Sequence, residues 1–116
     1  MRSSRPLFRI ALVLLVLGGF SCATPTEKAN FNAFLEQIAR DCNPLVIGPD
    51  NFSQAITFNG LGAEPENYNV FLSKTEALFN GGIPPDLYAR SITSFIGSGT
   101  ANDRSFRCIF DHLPKK

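Results

Sequence analysis

Apolar side chains fall along this chain first as one unbroken run and then, beyond residue 24, at helical intervals. Ile10 through Leu17 reads Ile-Ala-Leu-Val-Leu-Leu-Val-Leu, so the run has no polar side with which to lie on a folded domain. Thr24-Pro25-Thr26-Glu27 then reads as a helix start, with Thr24 placed to cap, Pro25 in the first helical position and Glu27 three residues after the cap. Phe31, Phe34, Leu35, Ile38 and Cys42 follow at intervals of three and four, which puts all five on one stripe. Asn43 precedes Pro44 and is biased away from helix, so this helix stops there. Leu45, Val46 and Ile47, bounded by Pro44 and Gly48-Pro49, form a short apolar connector without a clear period.

The spacing predicts three or four further helices. Asp50 is placed to cap a short one carrying Phe52, Ala55 and Ile56 and closing at Asn59-Gly60, although Ala55 to Phe58 also tolerates a strand. Pro65-Glu66 opens a clearer helix, in which Tyr68, Phe71, Leu72, Thr75, Leu78 and Phe79 share a face before Asn80-Gly81-Gly82 ends it. Pro84-Pro85-Asp86 starts another, with a wide stripe of Leu87, Tyr88, Ser91, Ile92, Phe95 and Ile96 and Gly97 at its end. Thr100 and Asp103 have the spacing of a capping pair for a last helix, whose face is Phe106, Ile109, Phe110 and Leu113 and which Pro114 terminates. The expected architecture is all-α: a small compact bundle of four to five short helices.

Cysteine usage adds a constraint. With Cys22 removed or modified at the start of the chain, Cys42 and Cys108 are the only two thiols left, and an exported chain with two cysteines predicts one disulfide. The bridge ties the first helix to the last and closes the chain from 42 to 108, worth roughly 4 kcal/mol in the chain-entropy model. The pairing meets a geometric difficulty, because Cys108 lies 200° round the helix from Phe106 at 100° per residue. The last helix must therefore be covered on two sides, or be short and irregular.

Arg2, Arg5 and Arg9 precede the apolar run, and small residues follow it in Gly18-Gly19-Phe20-Ser21-Cys22-Ala23, the layout of a secretory signal. The run is shorter than the roughly 20 residues a membrane-spanning helix needs. Ser21 and Ala23 fit an ordinary signal peptidase site, which would leave a soluble chain starting at Thr24. Ser21-Cys22, directly behind the apolar run, resembles the lipobox of bacterial lipoprotein precursors, although Gly19 and Phe20 stand where that pattern carries Leu and a small residue. The resemblance implies lipidation at Cys22, and Ala23 after it is similar to lipoproteins sent on to the outer membrane. Lipidation is the favoured outcome. The organisation is then 1–21 as signal peptide (1–23 for the ordinary peptidase), 22–28 as a short anchor or linker and 29–116 as a single helical domain.

Composition narrows the function classes. The chain has 116 residues, 44% of them apolar, too few for a barrel or a two-domain dinucleotide-binding enzyme. Three of the eleven basic residues leave with the signal, so that eight face ten acidic ones, a net charge of minus two that argues against a nucleic-acid partner. The single imidazole, His112, adjoins Asp111, and sequence neighbours on a helix do not face each other. Gly97-Ser98-Gly99-Thr100 lacks the Gly-Lys-Ser/Thr of a phosphate loop, and Glu64 and Glu66 are explained by the helix start between them. No C-x-x-C spacing occurs, so no metal set, cofactor or catalytic residue is predicted.

The expected function is that of an exported envelope protein, outer-membrane-anchored on the periplasmic side through Cys22, acting as a structural or interaction module on another envelope protein. A surface patch more apolar than a monomer needs would accompany it. The first alternative is a soluble periplasmic inhibitor or immunity-type protein presenting a protruding polar loop that plugs an active site, from Gly97 to Asn102 or from Asn59 to Glu64. The second is a small hydrolase or ligand-binding protein with a pocket of Tyr68, Tyr88 and His112.

Overall fold

The computed structural model describes residues 25–115; the signal region, Cys22 and the Thr24 cap lie outside the described residues. The chain folds as α1 (Pro25–Asp41), β1 (Val46–Ile47), β2 (Asp50–Asn51), α2 (Phe52–Thr57), α3 (Pro65–Phe79), α4 (Pro85–Ile96) and α5 (Asn102–Asp111). Residues 25–115 form an all-α domain of five helices with one minimal strand pair and a disulfide between Cys42 and Cys108.

Helix α1 buries Phe31, Phe34, Leu35 and Ile38 as their period requires, with Ala39 beside them. It starts at Pro25, so the helix reaches into residues 22–28, expected as linker. Phe31 and Phe34 meet the Phe79 ring at centroid distances of 5.6 and 5.0 Å, which fixes α1 against the end of α3. Phe52 on α2 stacks on Phe71 of α3 at 4.3 Å, with the Tyr68 ring 6.4 Å from it. Between α4 and α5, Tyr88 sits edge-on to Phe106 and Phe110 at 5.9 and 6.0 Å. Helix α3 closes in a Schellman motif: the Gly82 N–H donates to the Ala77 carbonyl and the Gly81 N–H to that of Leu78, with Gly81 at φ +80°.

The connector from 42 to 51 is half at the surface, with Asn43, Pro44 and Pro49 exposed, and half turned into the core. Leu45 and Ile47 are fully buried, and β1 pairs antiparallel with β2 in the register Val46 with Asn51 and Ile47 with Asp50, joined by Gly48-Pro49. Where such a stretch turns inward, its backbone polar groups need partners. Leu45 receives the Phe52 N–H on its carbonyl and donates its own N–H to Ser53 Oγ, at 2.8 and 3.0 Å. The Ser105 hydroxyl donates to the Val46 carbonyl at 2.7 Å and Arg104 to that of Pro44 at 2.9 Å. The Gly48 N–H donates to Asn102 Oδ1 at 2.9 Å, while Asn102 Nδ2 donates to the Gly97 carbonyl at 3.1 Å. Gly48 itself has φ +57°, and a Cβ there would lie 3.1 Å from the carbonyl oxygens of Ile96 and Gly97.

Three local expectations are corrected. Asn51, not Asp50, caps α2, its Oδ1 accepting the Gln54 N–H at 3.1 Å, because Asp50 is held in the strand pair with its carboxylate on Asn67 Nδ2. Thr100 does not cap α5: Ala101 is the cap residue and makes no side-chain cap bond, since Asn102, engaged with Gly48 and Gly97, fixes where the helix begins. The wide stripe of α4 is only half buried, with Tyr88, Ile92 and Ile96 inside while Leu87 and Phe95 are 45% and 53% exposed.

Asn102→Ala removes the bond that joins Gly48 of the connector to α5 and the bond that joins α5 to Gly97, and leaves a half-buried N–H and carbonyl without partners. Chemical denaturation should show a loss of about 2–3 kcal/mol, against a change within about 0.5 kcal/mol for the exposed Thr100→Ala.

Candidate functional site

Chemistry-bearing side chains converge where the end of α1 meets the end of α5. Cys42 follows α1 directly and is fully buried; Cys108 lies in the second turn of α5 and is half-buried. Their Cα atoms are 5.8 Å apart and the sulfurs are bonded. The difficulty over the direction of Cys108 is met by covering α5 on two sides. Helix α4 packs on the Phe106 and Phe110 side, and the 42–47 segment lies along the side that carries Arg104, Ser105 and Cys108.

His112 caps the end of α5, one turn beyond Cys108, and folds back over the bridge. Its Nδ1 is 3.9 Å from each sulfur and 2.8 Å from the Cys108 carbonyl oxygen, to which it donates. Its Nε2 lies 3.3 Å from Oδ2 of Asp41, the last residue of α1. The carboxylate that faces the imidazole is therefore Asp41, 71 positions away, and not the adjacent Asp111. Cys42, Cys108 and His112 place one sulfur, one sulfur and one nitrogen within 4.8 Å of one another. Sequence reasoning missed Asp41, yet a signal for it was present: Asp41 adjoins Cys42, and Cys108 and His112 are four apart on one helix face, so closing the bridge brings all four together.

The other candidates are placed differently. Tyr88 is fully buried with its hydroxyl 2.8 Å from Thr75 Oγ1, and burial pushes its phenol far above the ordinary range, against a smaller lowering by that hydrogen bond. Tyr68 is half-buried beside the 59–63 loop, where it helps line an open cavity of about 510 Å³, and burial raises its phenol too. Among the described residues no hydrogen bond or ring contact joins any two of Tyr68, Tyr88 and His112. Glycines 97 and 99 lie in the α4–α5 connection, where Gly97 accepts from Asn102. In the 58–62 loop Phe58 and Leu61 are 60% and 63% exposed. The loop is held by Gly60 N–H on the Ala55 carbonyl and Asn51 N–H on that of Gly62.

A groove of about 370 Å³ opens where α4 begins. It is lined by Leu78 and Phe79 of α3, the Gly81 to Pro85 connection, Leu113 and Pro114, so its walls are almost wholly apolar. Among the described residues no helix is long and apolar enough to cross a membrane.

No protein-family model, curated protein or solved structure matches this chain.

The two tyrosines should titrate apart. The unfolded chain ionises Tyr88 near 10.0, whereas the fold holds that phenol protonated well beyond it, so stability is fully present below pH 10 and is lost as the pH climbs above it. Tyrosinate absorbance should show Tyr68 ionising first and the second phenol appearing only as helical circular dichroism collapses. Two phenols titrating together in a fully helical chain would contradict the burial of Tyr88.

Proposed function

We propose that this chain is an exported bacterial cell-envelope protein, lipidated at Cys22 and held at the outer membrane on its periplasmic side. Its helical domain acts there by binding another envelope protein, without a catalytic site of its own. The signal-like start and the lipobox-like Ser21-Cys22 support export and anchoring, and a disulfide suits an oxidising compartment.

The observation that carries the interaction reading is the solvent side of α4. Leu87 and Phe95 stand two turns apart on that helix, both about half exposed, with Ser91 between them turning its hydroxyl to the Leu87 carbonyl. The apolar groove opens at the start of the same helix. Large apolar side chains left in solvent on one helix face mark surface that a partner covers. The partner this fits is a protein presenting an apolar ridge.

A second reading, a soluble periplasmic inhibitor or immunity-type protein, is favoured by the 58–62 loop. That loop presents Phe58 and Leu61 outward from a backbone fixed by hydrogen bonds.

A photo-crosslinker at Phe95 in cells should capture one envelope protein that a crosslinker at the exposed Arg90 does not. Leu87→Glu with Phe95→Glu should weaken that association at least tenfold while stability stays within about 0.5 kcal/mol of wild type. Equal capture at both positions would remove the α4 surface from the interaction. Intact mass on membrane and soluble fractions separates the two readings: an acylated species starting at Cys22 is expected, and a soluble species starting at Thr24 favours the inhibitor.

A further inference from the structure

The group at the α1–α5 junction has an arrangement that a disulfide alone does not require. A disulfide needs two sulfurs; here an imidazole nitrogen is also held 3.9 Å from both of them, and a carboxylate stands behind the ring on its other nitrogen. We propose that, once a dithiol has reduced the bridge, the thiolates of Cys42 and Cys108 and Nδ1 of His112 form a three-ligand site for Zn²⁺ or a comparably thiophilic divalent ion.

The distances fit. With Zn–S near 2.3 Å and Zn–N near 2.0–2.1 Å, a tetrahedral site has S···N edges of about 3.6 Å and an S···S edge of about 3.8 Å. Each S···N separation is already within a few tenths of an ångström of that edge. The sulfurs need only part, and the ring gives up its bond to the Cys108 carbonyl to free Nδ1. Asp41 then takes the position that a carboxylate occupies behind a metal-bound histidine. It accepts from Nε2–H, which selects the tautomer with a bare Nδ1 and fixes the ring plane. Cys108 and His112 sit one turn apart on a rigid helix while Cys42 comes from the opposite wall, so the ligands are held from two sides. Half-buried Cys108 and His112 leave the fourth position open to water.

The chemistry balances. A dithiol delivers two electrons and two protons to the bridge and leaves as its own disulfide; the ion then displaces the two thiol protons, and the proton that Nδ1 held toward the Cys108 carbonyl passes through water to Nε2, or to bulk water where Nε2 already carries one. Two thiolates and one divalent ion sum to zero charge, whereas two bare thiolates beside the Asp41 carboxylate would be desolvated without compensation. The oxidised chain holds no such site, because its sulfurs are spent on each other.

The test uses the purified full-length chain, reduced with a dithiol under anaerobic conditions and titrated with Co²⁺ and then Zn²⁺. Expected are one equivalent of Co²⁺ with a thiolate-to-cobalt charge-transfer band and tetrahedral d–d bands, bleached by one equivalent of Zn²⁺, and no such bands in the oxidised chain. Cys42→Ser should abolish the charge-transfer spectrum of the two-sulfur site, and His112→Ala and Asp41→Asn should each weaken Zn²⁺ binding by about 10- to 100-fold. Reduced wild type without the band, or His112→Ala binding as tightly as wild type, overturns the proposal. Helical circular dichroism on the same samples guards the interpretation: a reduced chain that loses its helices and does not regain them with Zn²⁺ counts against the site. Oxidised His112→Ala, with its bridge intact, shows whether that substitution disturbs the fold.

Discussion

The structure depends on how an irregular, half-exposed stretch of backbone can send Leu45 and Ile47 into the core and still satisfy its own polar groups. Residues 42–51 run between α1, α2 and α5 with Asn43, Pro44 and Pro49 in solvent and Leu45 and Ile47 fully enclosed, too short to form a sheet that would satisfy their own amides and carbonyls. The need is met from outside the segment, by Ser53, Asn102, Ser105 and Arg104, each of which bonds main chain rather than another side chain. Ser105 and Asn102 are buried polar residues in a helix that would otherwise be read as simply amphipathic, and among the described residues no buried side-chain polar atom lacks a partner. Leaving one such group unpaired costs more than making the bond contributes, so removing any one of these side chains destabilises the fold by more than its own bond is worth.

The same segment dictates how α5 sits. Its Phe106 and Phe110 face needs Tyr88, and its Ser105 and Cys108 side needs the connector, so the helix is gripped between α4 and the chain that follows α1. Cys42 and Cys108 are brought to bonding distance by that grip, and His112, the residue that ends the helix, is brought onto the sulfurs by the same placement. Packing and chemistry thus share one cause at this junction.

Helices α1, α3 and α5 were legible from sequence because their apolar residues keep a 3.6 period and their ends carry Pro or Gly, and the disulfide was legible from parity alone. The strand pair was not, since two residues per strand carry no alternation, and its pairing is imposed by partners more than 50 positions away. The cap of α2 was misplaced by one residue because Asp50 and Asn51 are equally good caps, and only the bond from Asn67 to Asp50 decides between them. The exposed half of α4 reads in sequence like core, as periodicity cannot say which part of a wide stripe finds a neighbour. Of the junction cluster the sulfurs were visible and the Asp41–His112 contact was not, because it joins residues 71 positions apart whose approach depends on how α1 and α5 pack.

The bridge also has a mechanical meaning. It makes residues 42–108 a covalent ring, with α2, α3 and α4 inside it and α1 leading into it from the N-terminal side. Tension applied to the start of α1 runs along that helix to Cys42 and crosses the sulfurs to α5, by-passing the aromatic contacts of the ring interior. Under load α1 can be stripped away, but the contour length locked between the two cysteines cannot be paid out. A protein tethered through its N-terminus would thereby keep the Leu87 and Phe95 surface folded on the far side of a covalent stop.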